Sequence, residues 1–583
     1  MCAIAGYWGN GDKTRLQKML QVLNHRGPDD NGVYVDSNAG LGSNRLAIID
    51  LSPKGHQPMF NEDKTVCIVY NGEIYNFQEI RKKLAGKHKF SSHTDTEVIL
   101  HAYEEWGSEC VKKLNGMFAF VIFDKRKDLL FGARDRLGEK PLKYYWDGKN
   151  FAFASEIKGL LPILPEKPEP DPEAINAFLT FQYVPAPKTG FKNVFKLPPG
   201  SFFVFKKGEL KITKYWELDF SKKLNLSEDE WEERVFKKIA DSVKGRMVSD
   251  VPIGALLSGG IDSSCIVALM ANFSKDRIKT FSIGFDEEEF DETKYAQTVS
   301  EIYKTDHTSL KVSQNLMQDT LHSFYDYYDE PFADNSLIPT LLLAQMTGKK
   351  VKVALSGDGG DENFAGYERY KVVNFGEFYK NIHPILRGMA KFPAQLFEKS
   401  RLFANTFDLP FQEKYGHYNP YFERRNKISL WGYNSKLSDL DNALNFDINS
   451  YLPEDLLYKV DIASMSASLE VRAPLLNHEL LELTAQMPQS LKIRNFKTKH
   501  IFKQILKNKK LLPDEIINRK KRGFIMPINK WLKGSMKTFV NEQLSTKKFR
   551  DLGIFDNVKA VDKVNSNELF SMLSLSLWLE KYH

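Results

Sequence analysis

The chain has 583 residues and a formal net charge of +7, from 82 lysines and arginines against 75 acids, too dilute a charge for the footprint of a nucleic-acid binder. With 42% hydrophobic and 27% charged residues it has the composition of an ordinary globular protein, and its length calls for two large domains. No apolar run reaches the ~18 residues of a membrane span, and no secretory signal is expected. The four scattered cysteines (Cys2, Cys67, Cys110, Cys265) have neither disulfide-framework nor metal spacing, so a reducing cytoplasm is the expected location.

In chain order the first feature is Cys2. Removal of Met1 would leave a thiol nucleophile and a base, the α-amino group with a pKa of ~7.7–8, on one backbone unit. A second-position cysteine also arises by chance and gains meaning only if oxyanion donors and substrate clamps stand elsewhere in the chain. Residues 2–210 read as a β-rich domain. Apolar runs at 66–70, 118–123 and 129–133 alternate with Gly, Asn and Asp turns, and 96–106 has a helical pattern. A proline-rich passage at 162–199 leads to Lys206-Lys207-Gly208, the lower edge of the domain. From 230 to 540, strands at 251–257, 278–285 and 351–355 alternate with helices at 264–272, 293–303 and 337–345. That alternation predicts a doubly wound parallel sheet with its ligand site at the carboxyl ends of the strands. Beyond about 370 the pattern is mostly helical, and residues 541–583 form a tail with no assigned role. The stretch 492–522 is strongly basic, with Asp514 and Glu515 as its acids. It reads either as a solvated helical surface or as a cationic wall for phosphates.

Four segments of the first domain could serve Cys2. Asn24-His25-Arg26-Gly27-Pro28-Asp29 is a polar turn, and Arg45 offers a guanidinium able to hold a carboxylate bidentately. Tyr70-Asn71-Gly72-Glu73 offers a carboxamide and a glycine N–H suited to an oxyanion hole. Asp95, before a helix, offers a carboxylate for an ammonium group. Singly, Asn71-Gly72 is also a common hairpin signal and Asp95 an ordinary N-cap. Together they supply what hydrolysis of free glutamine requires. The set closely resembles the class II glutamine amidotransferases, whose N-terminal-nucleophile domain is an αββα sandwich; the strings match at Met1-Cys2, 25–29 and 70–76. The resemblance implies that Cys2 is the nucleophile, that Asn71 and Gly72 form the oxyanion hole, and that Arg45, Glu73 and Asp95 hold glutamine. Ala3 departs from the family's usual glycine, and its methyl is a candidate for crowding the substrate.

In the second domain, Ser258-Gly259-Gly260-Ile261-Asp262-Ser263-Ser264 lies between a strand and a helix. Its glycines admit an anion to backbone N–H groups, its serines add hydroxyl donors, and the helix N-terminus adds partial positive charge. The string resembles the PP-loop of the ATP pyrophosphatases, which cleave ATP between its α- and β-phosphates. A second loop, Ser356-Gly357-Asp358-Gly359-Gly360-Asp361-Glu362, comes after another strand, so Asp262 and Asp361 could share Mg²⁺.

The order of these motifs resembles the glutamine-dependent asparagine synthetases over roughly residues 1–535. Further strings of that family stand at 133–142, 329–334, 459–461, 468–474 and 497–500. The resemblance implies ATP contacts from Leu257, Ser258, Gly259, Gly260, Asp262, Ser263, Ile283, Ser356 and Gly357, magnesium at Asp262 and Asp361, and Lys499 as the cation that offsets charge at the acyl-adenylate. The expected reaction is an ATP-dependent ligation: glutamine is hydrolysed at Cys2, ammonia is channelled, and aspartate is amidated through an acyl-AMP with release of pyrophosphate. The expected partners are glutamine, aspartate and ATP, with no nucleic acid and no membrane, and a homodimer is compatible with the sequence. Asp358 stands where asparagine synthetases often have glutamate, which leaves a second acceptor open: a sugar uronic acid of surface polysaccharide synthesis.

Overall fold

The computed structural model describes residues 2–287, 289, 291–380, 406, 409–418, 432–519, 528–553 and 564–583; Met1 and Lys520, Lys521 and Arg522 of the basic stretch lie outside them. Two six-stranded sheets make up the first domain. Strand Cys2–Trp8 lies inside one sheet, antiparallel to Ala39–Arg45 and Phe151–Ala154. Strand Val66–Ile74 lies in the other, antiparallel to Gly116–Asp124. Because side chains alternate along a strand, each sheet buries two faces. Ile4, Cys67, Val69, Val121 and Phe203 fill the space between the sheets. Ala3, Ala5 and Tyr7 point the other way, onto Leu16, Met19 and Leu20 of helix Lys13–Gln21. Ile68, Phe118 and Phe120 cover helices Phe77–Leu84 and Asp95–Trp106. The layers are the expected αββα sandwich.

One expectation is corrected at the domain's edge, and one feature is added. Lys206-Lys207-Gly208 turns a hairpin between the paired strands Ser201–Lys206 and Glu209–Lys214, so the sheet runs past residue 210. The proline-rich passage contains helix Pro172–Phe181, started by Asp171, whose carboxylate accepts from Glu173 N and Ala174 N, with Pro172 in the first position.

The second domain holds a five-stranded parallel sheet in the order Asp306–Val312, Lys279–Phe285, Ile253–Leu256, Val353–Leu355, Glu470–Arg472. Chain order reverses at the central strand Ile253–Leu256, the switch point where open α/β sheets bind ligands. Periodicity missed the two outer strands. Asp306–Val312 is a largely polar edge, and Glu470–Arg472 is too short to show alternation.

The domains are pinned together by buried ion pairs, several with one partner in the family strings. Lys143 and Lys196 meet Glu330 at 2.8 and 3.0 Å, Lys196 meets Glu454 at 2.9 Å, and Arg26 and Lys140 meet Asp461 at 2.8 and 3.3 Å. Removing one partner of such a pair strands a buried charge, so these contacts fix the relative placement of the two halves.

The segment 541–583 ends in helix Ser566–Tyr582, which is packed into the same seam. Trp578 is fully buried; its Nε1 donates to the Asp329 carbonyl at 3.2 Å and its ring meets Phe191 at 5.0 Å between centroids. Ser574 Oγ donates to the Phe332 carbonyl at 2.6 Å. We expect Trp578→Ala to destabilise the protein by about 3–5 kcal/mol, read as an earlier unfolding transition in urea. An unchanged midpoint would show that the terminal helix stands outside the cooperative core.

Candidate active sites

Cys2 and Asn71 meet at one end of the space between the sheets. Cys2 opens its strand with Arg45 directly opposite in the neighbouring strand, and both lie on one face, as opposed residues in an antiparallel ladder do. Asn71 reaches across from the second sheet and accepts from Cys2 N through Oδ1 at 3.0 Å. The Cys2 nitrogen carries hydrogen, so the Asn71 amide must turn its oxygen toward it. The amide nitrogen Nδ2 is thereby directed elsewhere, and it is buried without a hydrogen-bond partner, an arrangement that costs free energy unless a ligand uses it. Asn71-Gly72 is not a hairpin turn: it lies within a nine-residue strand, and a Cβ at Gly72 would collide with the Met117 carbonyl oxygen.

Burial pushes the Cys2 thiol up, opposed by the Leu46 backbone N–H and the Arg45 charge. The thiol therefore needs a base close by before it can attack. Arg45 is braced by neutral acceptors, the carbonyls of Asp50 at 2.7 Å, Ile49 at 3.1 Å and Ser52 at 3.4 Å, so its charge is oriented and uncancelled by them. The Ala3 methyl is buried in the outer layer with helix Lys13–Gln21. It faces away from Cys2, so the suspected crowding does not arise.

Glu73 and Asp95 are both buried. The helix cap is Thr94, whose side chain accepts from Glu97 N, and not Asp95. Asp95 instead accepts from the Tyr70 hydroxyl at 2.7 Å and from Ile74 N at 2.9 Å. Burial raises the Asp95 carboxyl, with Glu470 adding to it. Burial and the Asp95 charge push Glu73 well above the usual range, against the pull of Arg472. Burial and mutual repulsion disfavour both carboxylates' charged forms, a cost that a nearby positive charge relieves. Sequence reasoning missed their link to the other domain. The Arg472 guanidinium meets Glu73 at 3.2 Å and Glu470 at 2.6 Å, and it donates to the carbonyls of Arg246 and Val248. Arg472 lies in the 468–474 string, which carried the resemblance without a role.

In the second domain, strand Ile253–Leu256 runs into the Leu257–Gly260 turn and then helix Ile261–Phe273, with Gly260 as N-cap. Leu257 N donates to the Phe281 carbonyl of the strand that carries Ile283. Ser258 and Ser263 hydroxyls lie 3.0 Å apart across the turn, and Ser258 Oγ accepts from Gly260 N at 3.3 Å. Gly259 has φ +69, and a Cβ there would meet the Ala296 backbone, so only glycine serves. The Ser356–Asp361 loop leaves the adjacent strand Val353–Leu355 and packs so closely that a Cβ on Gly357 would strike the Ser263 backbone. Asp262 and Asp361 converge on Lys499 Nζ at 2.6 and 2.8 Å. Burial opposes the charge on Lys499, yet the two aspartates hold it well above the ordinary lysine value. The two aspartates thus favour the charged form of Lys499.

Among the described residues the basic stretch is in part the solvated helical surface expected, with Lys507, Lys509 and Lys510 exposed, and in part individually placed charge. Lys492 is buried, its ammonium pushed down to about 7 by desolvation. Arg494, Lys509 and Arg519 pair with Glu228, Glu233 and Glu292, and Lys499 reaches the aspartates. Among the described residues the charges form no continuous wall.

A cavity between the domains is lined by Glu139 and Lys140 on one side and Ser356, Asp358, Asp461 and Val471 on the other. It therefore borders the loop at Gly357 and, through Val471, the Glu470–Arg472 strand that touches Glu73.

An αββα domain headed by a cysteine and joined to a parallel sheet with a Ser/Gly loop at its switch point is the plan of an amidotransferase fused to a nucleotide-binding half. The profile described as "Glutamine amidotransferase domain" matches residues 1–216, and that described as "Asparagine synthase" matches 234–580. The chain is 34% identical to asparagine synthetase (glutamine-hydrolyzing) 1 of Bacillus subtilis, covering 97% of this chain and 93% of that one. It is 32% identical to asparagine synthetase 3 of the same organism, covering 90% and 87%. A putative asparagine synthetase of Methanocaldococcus jannaschii is 43% identical over 63% of this chain and 76% of its own. The chain belongs to the family of glutamine-hydrolysing asparagine synthetases.

Proposed function

We propose that this chain makes asparagine: it hydrolyses glutamine at Cys2, passes ammonia to the second domain, and amidates aspartate through β-aspartyl-AMP, with ATP going to AMP and pyrophosphate. The observation that best supports the reading is the divided Asn71 amide, whose oxygen holds Cys2 N while its buried nitrogen lacks a partner. With Met1 removed, the Cys2 α-amino group takes the thiol proton as Sγ attacks the glutamine amide carbon. The C=O electron pair moves onto oxygen, where Asn71 Nδ2 and the Gly72 N–H donate. Collapse re-forms the C=O and breaks the C–N bond as the Cys2 α-ammonium returns its proton to the leaving nitrogen, which departs as ammonia, and water hydrolyses the thioester to glutamate. Arg45 suits the α-carboxylate of glutamine, and Glu73 with Asp95 suits its α-ammonium. The cavity at Lys140 and Asp358 supports an internal route for ammonia between the halves.

At the second site, the backbone of Gly259 and Gly260 with the Ser258 and Ser263 hydroxyls suits the ATP phosphates, with Leu257, Ile283, Ser356 and Gly357 around the nucleotide. Asp262 and Asp361 already converge on one cationic atom and are hard oxygen donors, so they would hold Mg²⁺, which when bound neutralises and orients the triphosphate. The aspartate β-carboxylate attacks the α-phosphorus and pyrophosphate departs. Ammonia then attacks the acyl carbon, and AMP leaves in place of oxide. Lys499 supplies positive charge at this site.

The relatives' names favour aspartate as acceptor and do not favour a sugar uronate. Among the described residues no helix is long and apolar enough to cross a membrane, and four buried free cysteines suit a reducing cytoplasm.

Asn71→Asp tests the reading at the residue that carries it. The carboxylate can still accept from the Cys2 amine but cannot donate to the oxyanion. We expect kcat of glutamine hydrolysis to fall about 10²–10³-fold, with ammonium-driven synthesis unchanged. A glutaminase rate within twofold of the parent would refute the assignment.

A further inference from the structure

Away from both sites, Glu62, His88, His101 and Glu104 bring four ligand atoms within 4.8 Å of one another. Glu62 lies in the turn between strands Met59–Phe60 and Val66–Ile74, and His88 lies just beyond helix Phe77–Leu84. His101 and Glu104 stand one turn apart on helix Asp95–Trp106. His101 Nδ1 is 3.0 Å from Glu104 Oε2 and 3.9 Å from Glu62 Oε2; His88 Nδ1 is 3.7 Å from Glu104 Oε2 and 3.9 Å from Glu62 Oε1. A tetrahedral ion with bonds of about 2.0–2.1 Å holds its donors roughly 3.3 Å apart; the 3.0–3.9 Å separations are close to that, while the His88 and His101 rings, stacked at 4.5 Å between centroids, must turn to admit the ion.

We propose that Glu62, His88, His101 and Glu104 bind one divalent transition-metal ion of the zinc type, clipping the turn at Glu62 and the segment at His88 to helix Asp95–Trp106. Two imidazoles and two carboxylates suit zinc better than the all-oxygen preference of magnesium or calcium. Hydrogen bonds already support the two carboxylates, while the nearest carboxylate behind His101 is beyond hydrogen-bond reach. Asn61 Nδ2 donates to Glu104 Oε1 at 2.7 Å and Lys89 N donates to Glu62 Oε1 at 3.0 Å, which leaves the other carboxylate oxygens for a metal. His101 Nε2 faces Glu97 Oε1 at 4.0 Å, and that oxygen is itself fixed by Ser91. Carboxylates and hydrogen bonds behind the ligands are how metal sites set ring orientation. His101 is buried and Glu62 half exposed, so the site is rigid on one side and open to ion entry on the other. The same helix begins at Asp95, so the ion would anchor the element that presents this carboxylate to the glutamine site.

The test is a titration of the EDTA-treated, dialysed full chain with Zn²⁺ by calorimetry, with bound metal counted by mass spectrometry. The site predicts one tight equivalent per chain and a rise in the thermal midpoint on binding. It also predicts at least about tenfold weaker binding in His88→Ala, which should retain glutaminase activity and so report a folded protein. Glu62→Gln, at an exposed position, is the second variant should His88→Ala fail to fold, and the same loss is expected. If the parent binds no such equivalent, or if it and the folded variant titrate identically, the cluster is an ion-pair network alone and the proposal is wrong.

Discussion

Cys2→Ala abolishes glutamine-driven amide synthesis while ammonium salts still support it. Cys2 is buried and directly opposite Arg45, with its nitrogen held by Asn71, and no second thiol is available to substitute. Cys67 and Cys110 are buried within hydrophobic clusters of the sandwich, and burial pushes Cys67 up to about 12 and Cys110 higher still. Loss of the sulfur removes the covalent route outright, so the expected fall in glutaminase kcat is about 10³-fold or more. Alanine loses one small atom group at the start of a strand whose pairings are backbone bonds, so the fold and the second site should persist. Ammonium-driven product formation in the same preparation separates loss of chemistry from loss of structure. Persistent glutamine-driven synthesis would remove Cys2 from the mechanism.

Lys499→Leu has the complementary outcome: pyrophosphate formation falls about 10²–10³-fold while glutamine hydrolysis continues. The Lys499 ammonium is the cation that Asp262 and Asp361 share, and that pairing favours its charged form. Its contribution is electrostatic: positive charge where the α-phosphate and acyl oxygen gain negative charge. Leucine keeps much of the bulk and removes the charge, leaving two carboxylates face to face. Glutamine-independent pyrophosphate release at the parental rate would contradict this account. Loss of glutaminase activity together with it would show instead that the substitution disturbs the joint between the domains.

How legible each feature is in the sequence depends on how local it is. The Ser258–Ser264 turn, the apolar runs of the sandwich and the strand–helix alternation all declare themselves within ten residues, and each lies where the pattern placed it. Cys2 acquired meaning only through residues matched at a distance, because the Asn71 amide comes from the facing sheet. Three features were hidden because no local pattern marks them. The Arg472 bridge between Glu73 and Glu470 joins residues about 400 positions apart. The polar edge strand Asp306–Val312 lacks the apolar alternation of a half-buried strand. The terminal helix Ser566–Tyr582 is buried nearly all round, so it shows no polar face to mark it as amphipathic. Among the described residues the basic stretch mixes exposed lysines with charges that separate acidic partners hold in space, a division that a run of like charges in sequence does not show.

The most direct test of the central claim is to incubate the purified full chain with Mg-ATP and glutamine, with and without aspartate, measuring pyrophosphate and identifying the amide by mass. The expected result is aspartate-dependent pyrophosphate with equal amounts of asparagine and AMP. Glutamate formation without aspartate-dependent pyrophosphate, or ADP in place of AMP, would contradict it.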